Sequence, residues 1–322
     1  MMKELGCGVV KNSSLGTCLD AASESKDKAR LALLSCKESM SKANKLGTRN
    51  LKLFYIRVMI IFITGISSGF GLETAKLLAA NGHTVYGTVR REVEHLPNIN
   101  YLNVDVRDAA SIQKAIDYII EKEHRIDVLI NNAGMGIGGP IEFATEEDVR
   151  LQMDTNFMGL VHCVKAVLPY MRQQKSGRII ALSSIGGVMG LPFQGFYSAS
   201  KFAIEGYCEA LRLETRGLGI QVVVLRPGDF ATKFTASRKK ILHEESPKVY
   251  KTYAESMSKI EHDENGGLKP IVLAKKISHI VRLKNPRYGY VVASFEQKLS
   301  VLLKRLLPSK WFADILGSYY KM

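Results

Sequence analysis

Tyr197 and Lys201, in the stretch Phe196-Tyr197-Ser198-Ala199-Ser200-Lys201, stand four residues apart, a spacing that puts a phenol and an ammonium on one face of a helix. Such a pair can move a proton. Tyrosine titrates near pH ~10, and a cation beside it favours the phenolate and brings proton transfer within reach of neutral pH. An exposed tyrosine beside a snorkelling lysine shows the same spacing, so the pair takes its meaning from its surroundings. Upstream, Gly65, Ser67, Ser68, Gly69, Phe70 and Gly71 fill a small-residue loop between a β-branched run and a helical pattern. Small residues let the backbone approach a pyrophosphate, and a helix N-terminus offers unpaired N–H groups and a favourable dipole. An ordinary strand-to-helix turn has a similar composition, but this context points to a nucleotide. Arg90 and Arg91 stand near where a carboxylate would bind the ribose hydroxyls of NAD. Guanidinium groups there suit a 2′-phosphate instead. Asp105, followed by Val106 at the end of the next strand, can accept from an adenine amino group or simply cap its loop.

The elements that must hold these groups follow from periodicity. Strands are expected over Ile60–Thr64, Thr84–Val89, Asn100–Val104, Val128–Asn131, Arg178–Ser183 and Ile220–Arg226, with an edge strand over Tyr288–Ala293. Helices are expected over Gly71–Asn81, Ala110–Glu123, Glu146–Gln173 and Phe196–Arg216. This alternation predicts βαβ units and a doubly wound α/β fold of the Rossmann type, with a parallel sheet covered on both faces. One domain over residues 59–322 is expected. It would include a charged lid over 233–269, interrupted by Gly266-Gly267, and an amphipathic C-terminal helix over 296–318. The tail has two readings: it packs on its own core, or it lies on a membrane or roofs an apolar pocket.

Residues 1–58 differ from the remainder, being rich in Lys, Ser, Asn and Leu and holding three of the five cysteines. We read them as an appendage preceding a natural start at Met59; the alternative is a poorly ordered extension with a helix around Lys26–Lys45. The chain is 46% hydrophobic and 24% charged, ordinary for a protein with one large core. Its net charge of +14 divides into +6 in residues 1–58 and +8 in the rest, without a long basic block or interleaved aromatics, so nucleic acid is not the expected partner. Five cysteines without a Cys-x-x-Cys pair indicate neither zinc nor a disulfide framework. His162, His243, His262 and His279 lack metal-ligand spacing, and no metal is expected. The apolar run Leu53–Ile63 is broken by Arg57 and falls short of the ~18 residues of a membrane span. A reducing, cytoplasmic location is expected.

In order and spacing, the loop from Thr64 to Gly71, Asn131-Asn132-Ala133-Gly134, Asn156, Ser184, Tyr197 with Lys201, and Pro227-Gly228 resemble the short-chain dehydrogenase/reductases, across about Met59 to Thr232. The pattern is that of the single-domain branch, and the stretch from Ser184 to Gly206 is most similar to 17β-hydroxysteroid and retinol dehydrogenases. The resemblance implies roles. Tyr197 would be the general acid or base; Lys201 would lower its pKa and hold the nicotinamide ribose; Ser184 would orient the carbonyl oxygen. Asn156, in a helix that tolerates a kink, would hold a water connecting Lys201 to solvent. Asn132 would secure the sheet edge beside the cofactor, with Ala133 and Gly134 leaving room for a ribose. Pro227 and Gly228 would cover the nicotinamide, and Thr232 would bond its amide or a phosphate. Assembly as a homodimer or homotetramer through the helices around Asn156 and Tyr197 is implied in the same way.

The expectation is therefore an NADP(H)-dependent oxidoreductase, with NAD(H) as the alternative cofactor, interconverting a carbonyl and a secondary alcohol. Its substrate is expected to be apolar: a steroid, a retinoid or a keto-lipid, with a 3-oxoacyl thioester or a 3-keto-sphingoid base as alternatives. A non-catalytic NADP(H) sensor would have no need of all four catalytic residues. A membrane-peripheral scaffold acting through the basic tail is the third possibility.

Overall fold

Short β-branched runs such as Ile60-Ile61-Phe62-Ile63 have no polar face, so they are stable only where both sides of a sheet are covered. The computed structural model describes residues 58–322 and places seven such strands in one parallel sheet. They are β1 (Ile60–Ile63), β2 (Thr84–Val89), β3 (Ile99–Asn103), β4 (Val128–Asn131), β5 (Gly177–Leu182), β6 (Ile220–Pro227) and β7 (Gly289–Val292). Their order is β3-β2-β1-β4-β5-β6-β7, with every neighbouring pair parallel. The expectations for the leading segment, including the helix around Lys26–Lys45, lie outside the described residues.

Helices α1 (Gly69–Ala80), α2 (Ala109–Glu123), α3 (Glu146–Met153), α4 (Gly159–Gln173) and α5 (Gly195–Glu214) are followed by α6 (Tyr253–Asn265), α7 (Pro270–Arg282), α8 (Phe295–Leu306) and α9 (Ser309–Tyr319). One face of the sheet is covered by α2, α4 and α5 through Ile112, Ile116, Val164, Val167, Ile204 and Leu211. The other is covered by α1 and α7 through Ala75, Leu78, Leu273 and Ile277. This is the doubly wound Rossmann architecture. The strand order reverses direction between β1 and β4, and the crevice beyond their C-terminal ends is where such sheets bind ligands.

Two expectations change. The helix expected over Glu146–Gln173 is interrupted by a π-turn at Asp154–Met158, where the Gly159 amide bonds back five residues to Asp154 O. The single C-terminal helix expected over 296–318 is two helices, α8 and α9. Leu307 turns extended (φ −89°, ψ 148°) because Pro308 disfavours a helical residue before it and brings no N–H to continue the ladder. The lid segment carries its own structure: helical turns at Lys233–Ala236 and Ser246–Val249, a two-residue strand Lys239–Lys240 paired with Ile137–Gly138, and α6. For the tail, one side of α8 and α9 packs through Val301, Leu303, Phe312 and Leu316 in a cluster with Ile185 and Met189, while other apolar side chains face outward. No described helix is long and apolar enough to cross a membrane.

Candidate active site

Thr64, immediately after β1, is the keystone of the glycine loop. Its Oγ1 accepts from the backbone amides of Asn132 (3.0 Å) and Ala133 (2.9 Å). In return Asn132 Nδ2 donates to the carbonyls of Thr64 and Gly65, both at 2.8 Å, and Thr88 Oγ1 accepts from the Gly65 amide at 2.9 Å. The turns after β1 and β4 and the end of β2 are thus held as one shelf. Gly65 (φ +72°) and Gly69 (φ +58°) occupy the left-handed region, where a side chain would be strained. Gly71 is required for space: a Cβ there would lie 2.2 Å from Gly65 O and 2.5 Å from Asn132 Nδ2. Ser68 caps α1 without bonding its first turn through the side chain, which leaves the N-terminal amides able to bind an anion.

At the adenosine end, Arg90 and Arg91 follow β2, are exposed and line the cleft. Asp105 lines the same cleft. Arg107 grips it through Nε and Nη2, the latter at 2.6 Å, and this pairing holds its carboxyl below the usual range. Val106 lines the cleft beside Asp105 and is buried against Gly159, with its carbonyl 3.0 Å from His162 Nδ1.

At the other end Ser184 follows β5, and its Oγ accepts from the Gly186 amide at 3.0 Å. The hydroxyl and the Tyr197 ring flank Gly186, where a Cβ would lie 3.4 Å from both Ser184 Oγ and Tyr197 Cε1. Tyr197 sits in the first turn of α5 and Lys201 one turn later. Lys201 Nζ lies 5.7 Å from the tyrosine ring centroid and donates to Leu182 O at 2.9 Å. Burial pushes the Tyr197 phenol up to about 12, with the Ser184 hydroxyl as the largest opposing influence. Burial also brings Lys201 down to about 8. A half-buried ion pair, Arg226 Nε and Nη2 to Glu205 at 2.8 and 2.7 Å, ties the end of β6 to α5. It locks Pro227-Gly228 beside the helix that carries Tyr197 and Lys201.

Asn156 lies in the π-turn and is buried. Both hydrogens of its amide are spent, on Met135 O and Ser200 Oγ at 3.0 Å each, and Oδ1 accepts from the Met135 amide at 2.8 Å. Thr232 caps the helical turn at Lys233, accepting from the Phe234 amide at 3.2 Å. A single cleft of about 970 Å³ brings together Ser184, Tyr197, Lys201, Ala133, Gly134, Pro227, Gly228, Thr232 and the glycine loop. Asn156 and Gly71 stand behind its wall.

A family model described as short chain dehydrogenase matches residues 59–242. The chain belongs to the short-chain dehydrogenase family. It is an oxidoreductase acting on CH–OH groups. This short-chain dehydrogenase is 48% identical over 262 residues to the 3-ketodihydrosphingosine reductase of Bacteroides thetaiotaomicron, an alignment covering 81% of this chain and 97% of the relative. It is 38% identical over 191 residues to human 17-beta-hydroxysteroid dehydrogenase type 1, covering 54% and 58%. Among solved structures, a closed serine dehydrogenase complexed with NADP+ superposes with a TM-score of 0.64 at 26% identity, covering 74% of this chain and 96% of that one.

Several residues of this dehydrogenase's cleft escaped the sequence reading. Phe234 tilts over Tyr197 with ring centroids 5.7 Å apart. Asp229 lines the cleft with Asp263 and Glu264; Gln297 Nε2 donates to its Oδ2 at 2.6 Å, and its own amide donates to Gln297 Oε1 at 3.1 Å. Burial and the two neighbouring carboxylates raise Asp229 to about 6. Glu264 is neutralised by the fully buried Arg238, and Asp263 by Lys259. The signal available in sequence was the aspartate directly after Pro227-Gly228.

Proposed function

We propose that this short-chain dehydrogenase is a cytoplasmic NADP(H)-dependent reductase of a 3-keto-sphingoid base, with Tyr197 as the general acid. The observation that carries the catalytic reading is the meeting of the Ser184 hydroxyl, the Tyr197 phenol and the Lys201 ammonium in one cleft with the glycine loop. The loop fits a dinucleotide, since the space a Gly71 side chain would fill is taken by backbone and the shelf at Gly65 and Gly69 tolerates no side chain without strain. Gly65, Ser67, Ser68, Gly69 and Phe70 would hold the pyrophosphate. Arg90 and Arg91 would hold the 2′-phosphate that distinguishes NADP. Ala133, Gly134 and Lys201 would seat the nicotinamide ribose, and Pro227, Gly228 and Thr232 would border the ring.

When bound, the cofactor supplies the hydride. Ser184 orients the substrate carbonyl oxygen, and Tyr197 gives that oxygen its proton as the C=O electron pair moves onto it. Ser184 draws the phenol down against its burial and so makes Tyr197 a stronger acid. Lys201, positively charged at neutral pH, stabilises the phenolate left behind. Asn156 positions the site by tying the Met135 backbone to α5 through Ser200. The sensor reading loses its support, because a binding protein has no use for a proton donor aligned in this way.

For the substrate, the similarity to a 3-ketodihydrosphingosine reductase favours the amino-ketone lipid over a steroid or retinoid, and Asp229 gives the cleft a carboxylate suited to an ammonium. Residues 59–322 form one catalytic domain in this reading, because β7 and α7, which complete the sheet and its second face, lie beyond residue 242. Assembly through α4 and α5 as a homodimer or homotetramer belongs to the same proposal. The test is NADPH oxidation with 3-ketodihydrosphingosine, with a steroid ketone for comparison. Tyr197→Phe should abolish turnover and leave NADPH binding, read by fluorescence, intact. Retained turnover would overturn the mechanism, and equal or faster turnover of the steroid would overturn the substrate.

A further inference from the structure

The α8–α9 pair shows two apolar faces where a surface helix normally shows one. The inner face packs through Val301, Leu303, Phe312 and Leu316. On the outer face of α8, Phe295, Leu299, Leu302 and Leu306 recur at helical spacing, which gathers them within an arc of about 60° at 3.6 residues per turn. Their exposure is large, 76% for Phe295 and 69% for Leu306, and on α9 Trp311 is 62% exposed with Ile315 open beside it. Bare leucine, phenylalanine and tryptophan in such a row cost solubility unless something covers them.

Charge indicates what does. From Ser294 to Met322 the chain carries five Lys/Arg against Glu296 and Asp314. Lys298, Arg305 and Lys310 are exposed and take part in none of the ion pairs among the described residues. A second copy meeting this face across a two-fold axis would bring like charges together. An anionic lipid surface would neutralise them while accepting the leucines and the tryptophan at its headgroup boundary. We infer that the outer face of α8 and α9 docks this enzyme on an anionic membrane surface. The docking helix is bonded to the cleft, since Gln297 on α8 holds Asp229, and Tyr320, directly after α9, lines the cleft.

The experiment is co-sedimentation of the full chain with phosphatidylcholine vesicles, with and without phosphatidylglycerol. The wild type should sediment with the anionic vesicles and be released by high salt. The triple variant Phe295→Ser, Leu306→Ser, Trp311→Ser should lose on the order of tenfold in vesicle partition. So should Lys298→Glu, Arg305→Glu, Lys310→Glu, which alters only exposed charges and guards against misfolding of the first. Both should keep wild-type oxidation of NADPH with a water-soluble ketone in the absence of vesicles. No wild-type binding, or binding undiminished in both variants, would overturn the inference. So would a dimer that the apolar triple variant converts to monomer, which would show a second copy as the occupant. Because vesicle binding is read without turnover, failure of the sphingoid-base assignment would leave this result standing on its own.

Discussion

Gly71→Ala and Gly206→Ala are the same chemical change at two helical positions, and the structure gives them opposite signs. In α1 the added methyl meets Gly65 O at 2.2 Å and Asn132 Nδ2 at 2.5 Å, about 1 Å inside ordinary contact. Neither neighbour can yield alone, because the two are hydrogen-bonded to each other at 2.8 Å. Relief requires α1 to move away from the shelf or the Asn132 bonds to break. Overpacking of this kind costs roughly 1–3 kcal/mol, and loss of the bonds to two carbonyls adds about 1 kcal/mol for each. At Gly206, on the exposed side of α5, the methyl meets nothing within 4 Å, and helix propensity alone favours alanine by about 1 kcal/mol. Thermal unfolding should therefore show Gly71→Ala melting about 2–20 °C lower and Gly206→Ala up to about 4 °C higher. NADPH titration should show weakened binding for Gly71→Ala only. Equal melting temperatures and equal affinities would refute the claim that this glycine is set by close approach of backbone.

Arg90→Asp should raise KM for NADPH by at least about tenfold with kcat much less affected, since one charge-assisted contact to phosphate is worth about 1.5–3 kcal/mol; an unchanged KM, measured by initial rates against NADPH and NADH, would remove the basis for cofactor preference. Asp229→Asn should stabilise the protein at neutral pH while weakening an ammonium-bearing substrate. The folded-state pKa of about 6 stands above the ordinary 3.8, so the protonated carboxyl is favoured on folding and that contribution is lost as pH rises through 6. The gain in melting temperature should thus be present at neutral pH and vanish below 3.8; a gain independent of pH would point to packing instead.

Much of this was legible from one dimension because the relevant physics is local. A parallel strand buried on both sides must be a short apolar run, and β1, β2 and β4 read that way to within a residue. Ser184, Tyr197 and Lys201 were recognisable because each chemistry-bearing type occurs at a strand end or on a helix face in a fixed order. The shelf was not legible, since Thr64 and Asn132 are 68 positions apart and either could be an ordinary turn residue. Asp229 owes its environment to Gln297, equally distant. One misreading was avoidable: Pro308 was always going to divide a tail whose amphipathic pattern ran through it.

The π-turn at Asp154–Met158 holds one residue more than a regular helix of the same rise. Removing any one of these five residues would let α3 and α4 fuse into an unbroken α-helix, a locally cheaper conformation. It would also turn the two segments by about 100° relative to each other, so that α4 could keep Leu160, Cys163, Val164 and Val167 in the core only by swinging Gln152 and Asn156 off the Met135 backbone. Length here is therefore as constrained as side-chain identity. A single-codon deletion at this point should yield a chain that folds yet has a dismantled cleft, an outcome no point substitution in the helix would reproduce.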